Sequence, residues 1–339
     1  MRRTEPGLDT ERHNAGHTPR TWAKSGPFST VTNAMNTTII LDCDPGIDDA
    51  LAIAFAAGHP GIELAGITTV AGNVGLPRTT RNALDVADFV GAGHVPVTAG
   101  CAAPLLRPAL DARHVHGETG LGGAVLPESA LGPRAGHASD FIIEALAAAP
   151  GEITLVATGP LTNVALALRK EPRITSWVRQ FVIMGGSSGR GNVTPAAEYN
   201  IWADPEAAAV AFSAGWTVRM IGLDVTHQAL ATGPVRARLS SLAALGSVLL
   251  LPALAQYSSL PDPPVHDVCA VVAAVAPHVF GFTEASVEVE TVGRLTYGMT
   301  VTEFAPSGPP NAQVATSIDV DGFWDMVISA YGLVADRLR

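Results

Sequence analysis

The order of its elements limits this chain more than any other feature. From Thr37 onward, short β-branched runs alternate with helical runs. Residues 37–41, 62–70, 153–157, 181–184 and 218–223 read as strands. Residues 48–57, 78–90, 140–149 and 161–170 read as helices between them, and Asp204-Pro205-Glu206 opens another that runs to about Phe212. Strands joined through helices run parallel, because the crossover needs a helix-sized segment. Strand patterns at 286–291, 295–303 and 313–319 add further strands near the C-terminus, and a closing helix starts near residue 322. The predicted fold class is α/β: one domain, 37–339, with a mostly parallel central sheet flanked by helices.

Residues 1–36 have a different texture. They lack apolar periodicity and carry Pro, Gly, Ser and Thr throughout. Five basic residues (Arg2, Arg3, Arg12, Arg20, Lys24) against three acidic ones (Glu5, Asp9, Glu11) leave this stretch at +2. The whole chain carries −10, so the remainder holds −12. We expect a disordered tail here, or a translation start at Met35 just ahead of the first strand. Arg2-Arg3 is not followed by an apolar segment, so it does not read as an export signal.

The acidic balance excludes classes of partner. Non-specific binding to nucleic acid or anionic membranes needs basic surface, and a net charge of −10 argues against it. Neither of the two lysines, Lys24 and Lys170, follows a glycine, so there is no phosphate-binding loop. The longest apolar run, 268–276, suits a core helix and is too short to cross a bilayer. Cys43, Cys101 and Cys269 make an odd set without a CxxC, which points to a reducing compartment and a cytoplasmic protein.

The chemistry concentrates in Asp42-Cys43-Asp44-Pro45-Gly46-Ile47-Asp48-Asp49-Ala50, with four carboxylates in eight residues at the carboxyl end of the first strand. Parallel sheets bind ligands at this strand end. Asp42 and Asp44 lie two apart on extended chain and so share a side, while Asp48 and Asp49 open a helix whose dipole favours anions. Helix capping accounts for one such Asp but not four. Like charges this close raise one another's pKa, and a divalent cation removes that penalty. Oxygen-only donors suit a hard ion, Ca²⁺ or Mg²⁺.

Three familiar motifs fail on inspection. An EF-hand loop beginning at Asp42 needs Glu at its twelfth position, where Ile53 stands. A haloacid-dehalogenase-type phosphatase expects Thr or Val two residues after its second Asp, where Gly46 stands, and it lacks a suitable lysine. Gly185-Gly186-Ser187-Ser188-Gly189 matches a nucleophile elbow, but Arg190-Gly191-Asn192-Val193-Thr194-Pro195 reads as loop where the elbow needs a helix.

The acidic segment resembles the signature of the inosine–uridine type nucleoside hydrolases. Five further stretches are similar to motifs of that family in the same order. They are Ile67-Thr68-Thr69-Val70-Ala71-Gly72-Asn73, His116-Gly117-Glu118-Thr119-Gly120 and Thr158-Gly159-Pro160-Leu161-Thr162-Asn163. Next come Met184-Gly185-Gly186 with Asn192 and Glu198-Tyr199-Asn200, and finally Pro264-Val265-His266-Asp267. The resemblance implies a Rossmann-like fold and hydrolysis of the N-glycosidic bond of free ribonucleosides. It implies that Asp44, Asp49, the carbonyl of Thr158 and Asp267 hold Ca²⁺, with Asp42 behind them. Asp48, Asn73, Glu198 and Asn200 would bind ribose hydroxyls, with Asn192 reaching the sugar and Met184 packing near it. A homodimer or homotetramer is implied as well.

Bond cleavage builds oxocarbenium character that carboxylates stabilise, and attacking water needs a base, for which Asp44 is the candidate. The leaving base needs a proton donor. His266 is the candidate, on the expectation of a pKa near neutrality. His116, on a Gly-rich loop, is a candidate contact to the base. His114-x-His116 has no further cluster to complete a metal site. Tyr257 is placed near the base or the sugar without an assigned role. Two other readings stay open: a hydrolase for an unusual ribosyl compound, and a nucleoside- or ribose-binding protein with weak turnover.

Overall fold

The first strand sets the layering. In the computed structural model, which describes residues 36–257 and 260–339, β1 (Thr37–Cys43) is buried from Ile39 to its end. Ile39, Leu41 and Cys43 join one apolar cluster and Ile40 joins a second, as the period of a strand requires when both faces are covered. The tail expected at 1–36 lies, but for Asn36, outside the described residues.

Eight more strands complete the sheet: β2 (Ile62–Thr69), β3 (Val97–Ala99), β4 (Ile153–Ala157), β5 (Gln180–Met184), β6 (Val218–Ile221), β7 (Phe280–Val289), β8 (Thr300–Phe304) and β9 (Ala312–Ile318). Their order is β3-β2-β1-β4-β5-β6-β9-β7-β8. The first six strands are parallel, β9 joins parallel to β6, and β7 runs antiparallel to both β9 and β8. The strand order therefore reverses between β1 and β4. That reversal opens a crevice at the carboxyl ends of the two strands, where ligands bind in sheets of this kind.

Helices cover both faces. On one side, α1 (Ile47–Gly58) and α2 (Leu76–Phe89) pack with two later helices. On the other lie α3 (Ala138–Ala148), α4 (Thr162–Lys170) and α5 (Pro205–Phe212). The later pair is α6 (Asp267–Val275) and the closing helix α7 (Val320–Arg337), which pack on α1. Asp204 caps α5 through the amide of Ala207, as the Asp-Pro-Glu pattern predicts. Among the described residues no helix is long and apolar enough to cross a membrane.

Several boundaries differ from expectation. β3 is three residues long, too short to carry a period. The strand expected at 295–303 keeps only its end, because the Tyr297 amide bonds back to Gly293 and Gly298 turns at φ 79°. The strand expected from 286 begins at Phe280, since the residues from Phe280 to Ala285 pair with β9. Residues 224–257, left unassigned from sequence, include the helices Gly233–Ser240, Leu245–Leu250 and Leu251–Leu254. Gly233–Ser240 buries only Val235 and Leu239, too few to show a period, and residues 245–254 are apolar on most sides.

α7 closes the fold over α1 through a buried contact: the Tyr331 hydroxyl donates to the Leu51 carbonyl at 3.0 Å. Replacing Tyr331 with Phe keeps the ring and deletes the bond. We expect a loss of about 1 kcal/mol in urea unfolding, with turnover unchanged; a loss of turnover in a stable variant would show that α7 also controls the site.

Candidate active site

The residues expected to act together do meet, in a cavity of about 640 Å³ above the reversal between β1 and β4. That volume suits a small polar organic ligand. Asp48, Asn73, His116, Thr158, Met184, Asn192, Glu198, Asn200, His266 and Asp267 all line it. Asp44 and Asp49 lie just beneath, each fully buried. Asn192 alone of these side chains is exposed. It sits at the rim, where its Oδ1 accepts the Tyr199 amide at 3.0 Å.

Asp44 is held by its neighbours. Its Oδ2 accepts the Asn73 amide at 2.7 Å, and the Asn73 side chain donates to the Asp44 carbonyl at 3.1 Å and to Asp49 Oδ2 at 3.1 Å. Two glycines make room for it: a Cβ on Gly72 would stand 2.0 Å from Asp44 Oδ2, and one on Gly159 2.7 Å from Oδ1. Asp44 Oδ1 itself is buried with no hydrogen-bond partner among the described residues. Asp49 accepts from the Gly46 amide at 3.0 Å and from Thr158 Oγ1 at 2.9 Å, as a carboxylate in the first turn of a helix should. It also shares a side-chain hydrogen bond with Asp267.

Two carboxyl groups in contact need a proton or a cation between them. Burial first, and then the neighbouring acids, push Asp44 and Asp267 well above the usual carboxylate range; burial likewise raises Asp49. Asp48 is pushed up to about 7 by burial and by Asp49. A buried, oxygen-only set with one orphaned carboxylate oxygen fits a hard divalent ion, which would return these groups to their charged forms. Among the described residues no three His, Cys, Asp or Glu side chains are already drawn into a cage. The Thr158 carbonyl accepts the Asn200 side-chain amide at 2.8 Å.

The sugar-binding candidates come from the loop after β5. The expected long loop contains a helical turn, Tyr199–Ala203, capped by Glu198. Glu198 Oε1 accepts the Asn200 amide at 2.9 Å, and Oε2 accepts the Gly186 amide at 2.8 Å and the Ile201 amide at 3.2 Å. Asn200 Nδ2 also bonds the Met184 carbonyl at 3.0 Å, which ties this turn to β5.

The far side of the cavity carries the histidines. His116 is buried, and its Nδ1 accepts the Ile47 amide at 3.1 Å, so the ring caps α1. Burial, with His114 adding to it, lowers His116 to about 4. His266 departs from the near-neutral pKa expected for it: burial, then the His227 and His116 rings, bring it down to about 3. It is therefore a neutral imidazole at pH 7. Its Nδ1 lies 2.8 Å from Thr226 Oγ1.

Sequence reasoning left four neighbours without roles. The Tyr257 hydroxyl donates to Asp48 Oδ1 at 3.2 Å. Asn163 donates to Asp42 Oδ1 at 2.8 Å, and Thr68 donates to the same oxygen at 2.6 Å. Asp42 lies fully buried behind the site, raised to about 6 by that burial. Asn163 and Thr68 fall inside the quoted motifs, which was the available signal. Thr226 has none, standing forty residues before His266.

The profile of the inosine-uridine preferring nucleoside hydrolase family matches residues 39–325. An inosine-uridine preferring nucleoside hydrolase of Leishmania major is 46% identical over 310 residues, covering 88% of this chain and 98% of its own. The non-specific ribonucleoside hydrolase RihC of Salmonella typhimurium is 46% identical over 299 residues, covering 86% and 97%. A purine-preferring ribonucleoside hydrolase from Gardnerella vaginalis has a solved structure that superposes with a TM-score of 0.83 at 33% identity, over 88% and 99% of the two chains. The chain belongs to this family of N-glycosidases that hydrolyse ribonucleosides.

Glu198 offers a test of the site's electrostatics away from the acidic cluster. Burial raises its pKa from 4.5 to about 7. Between those values the native state holds a proton that the unfolded chain has released, so the contribution of Glu198 to stability is fully present below pH 4.5 and is lost as pH rises through about 7. Glu198→Gln should flatten that decline in urea unfolding at pH 5 and pH 7.5. Identical slopes in both proteins would refute the shift.

Proposed function

We propose that this nucleoside hydrolase is Ca²⁺-dependent, accepts both purine and pyrimidine ribonucleosides, and uses Asp44 as base and His266 as donor to the leaving base. The observation that carries the reading is the unpartnered, buried Asp44 Oδ1 among acids whose pKa burial raises. Asp44, Asp49, Asp267 and the Thr158 carbonyl would hold the ion. Bound there, Ca²⁺ supplies a Lewis acid that orients vicinal hydroxyls and acidifies water. The breadth of substrate follows two relatives, one an inosine-uridine preferring hydrolase and one a non-specific ribonucleoside hydrolase.

The chain's own residues then divide the work. Asp48, Asn73, Glu198 and Asn200 accept or donate to the ribose hydroxyls, Asn192 closes the rim over the sugar, and Met184 packs against it. Negative oxygens around the sugar favour positive charge at C1′ as its bond to nitrogen lengthens. Asp44 takes the proton of the attacking water. His266, neutral, gives an N–H hydrogen bond to the departing base, and His116 contacts the base from the adjoining wall. Homo-oligomeric assembly in a reducing, cytoplasmic setting belongs to the same reading, which three free cysteines suit.

Three measurements test it. Release of reducing sugar from uridine, cytidine, inosine and adenosine is expected with Ca²⁺, lost after chelation and restored by Ca²⁺; full activity in the stripped protein would overturn the cation's role. Asp44→Ala should lower kcat by roughly a thousandfold or more. His266→Ala should cost inosine about a hundredfold but p-nitrophenyl riboside, whose leaving group needs no help, under about threefold; equal losses would remove His266 from that role.

A further inference from the structure

We infer that Thr226 is a positioning residue: its hydroxyl holds the His266 ring and keeps a donor N–H on the nitrogen that faces the leaving base. The inference rests on His266 acting as that donor. Thr226 ends the single helical turn Leu223–Thr226 after β6 and is fully buried. Its Oγ1 stands 2.8 Å from His266 Nδ1, and among the described residues this is its one side-chain hydrogen bond.

The geometry leaves the ring little choice. With Nδ1 occupied by Thr226, Nε2 is the nitrogen that remains for a ligand in the cavity. A hydroxyl both donates and accepts. When it donates to Nδ1, the proton of the neutral ring resides on Nε2, and Nε2 becomes a donor. The His227 ring meets His266 edge to face at a centroid distance of 5.6 Å and closes another side. The His266 amide leans toward Asp48 Oδ2 at 3.4 Å, which holds the backbone.

A packing role alone does not call for a hydroxyl here. The neighbours Leu223, Val225 and Ala229 are buried and apolar, and Val would fill the same volume. β-Branching limits χ1, so Oγ1 is aimed rather than free to swing. Thr226 thus stands to His266 as a fixed partner that selects a tautomer.

The test compares Thr226→Val, Thr226→Ser and His266→Ala on inosine and p-nitrophenyl riboside, with ¹⁵N NMR of the His266 ring. Thr226→Val should lower kcat on inosine about tenfold, with KM within about twofold and p-nitrophenyl riboside little changed. Thr226→Ser should restore most of the loss. The ¹⁵N shifts should report Nε2–H in the parent protein and in the Ser variant, and a tautomer mixture in Thr226→Val; Thr226→Ala substitutes if Val does not fold. Full kcat on inosine in Thr226→Val, or equal losses on both substrates, overturns the inference. If His266→Ala shows no dependence on the leaving group, the donor reading of His266 fails. In that case an unchanged ring tautomer in Thr226→Val overturns the Thr226 inference as well.

Discussion

Everything around the site depends on burying acids together. Asp42, Asp44, Asp48, Asp49 and Asp267 are all nearly inaccessible, and the charged groups that act on Asp44, Asp48 and Asp267 are other acids. Ionised together, these groups would cost the fold several kcal/mol each without a partner. The structure answers with neutral donors: Asn73, Thr158, Thr68, Asn163 and backbone amides supply hydrogen bonds. That answer is incomplete at Asp44 Oδ1 and Asp42 Oδ2, both orphaned. An orphaned, buried carboxylate oxygen is tolerated where something outside the chain completes it.

The topology makes the cluster possible. β1 delivers Asp42 and Asp44, the turn at Pro45-Gly46 reverses into α1, and the first turn of α1 adds Asp48 and Asp49 where free N–H groups welcome them. β4, neighbour to β1 across the reversal, leads into Thr158, whose amide bonds the Asp42 carbonyl at 2.8 Å. α6 enters from the far end of the chain and brings Asp267 on its first residue. Three separate chain segments thus point oxygens into one crevice, and each does so at a strand end or a helix start.

Periodicity made the parallel half of this sheet legible, because β1, β2, β4, β5 and β6 are buried, β-branched runs bounded by turns. Motif order made most of the site legible too: the quoted motifs bring in Asp44, Asp49, Asn73, Thr158, Glu198 and Asp267, which the fold gathers. What escaped did so for physical reasons. β3 is shorter than a period, residues 245–254 are apolar on too many sides, and β8 starts late because a local turn consumes 293–298. The pKa of His266 also escaped, since the burial that lowers it, and then the rings of His227 and His116, come from tertiary packing. Thr226 belongs with these, as a hydroxyl whose partner lies on another element leaves no local trace.

The scarcity of lysine gains meaning beside the acid cluster. An ammonium near Asp44 or Asp49 would neutralise them permanently and occupy the space that an ion or the developing positive charge of a sugar would otherwise fill. The one described lysine, Lys170, is instead paired with Asp140 at 2.8 Å on the surface. In the proposed reading the site is polarised, with the acids facing the sugar and His116 and His266 facing the base. A reaction that gathers positive charge on the sugar and negative charge on the base meets stabilisation at its first centre from charge and at its second from a hydrogen bond alone. The second is the weaker of the two. That imbalance makes the orientation and tautomer of one histidine matter as much as its presence.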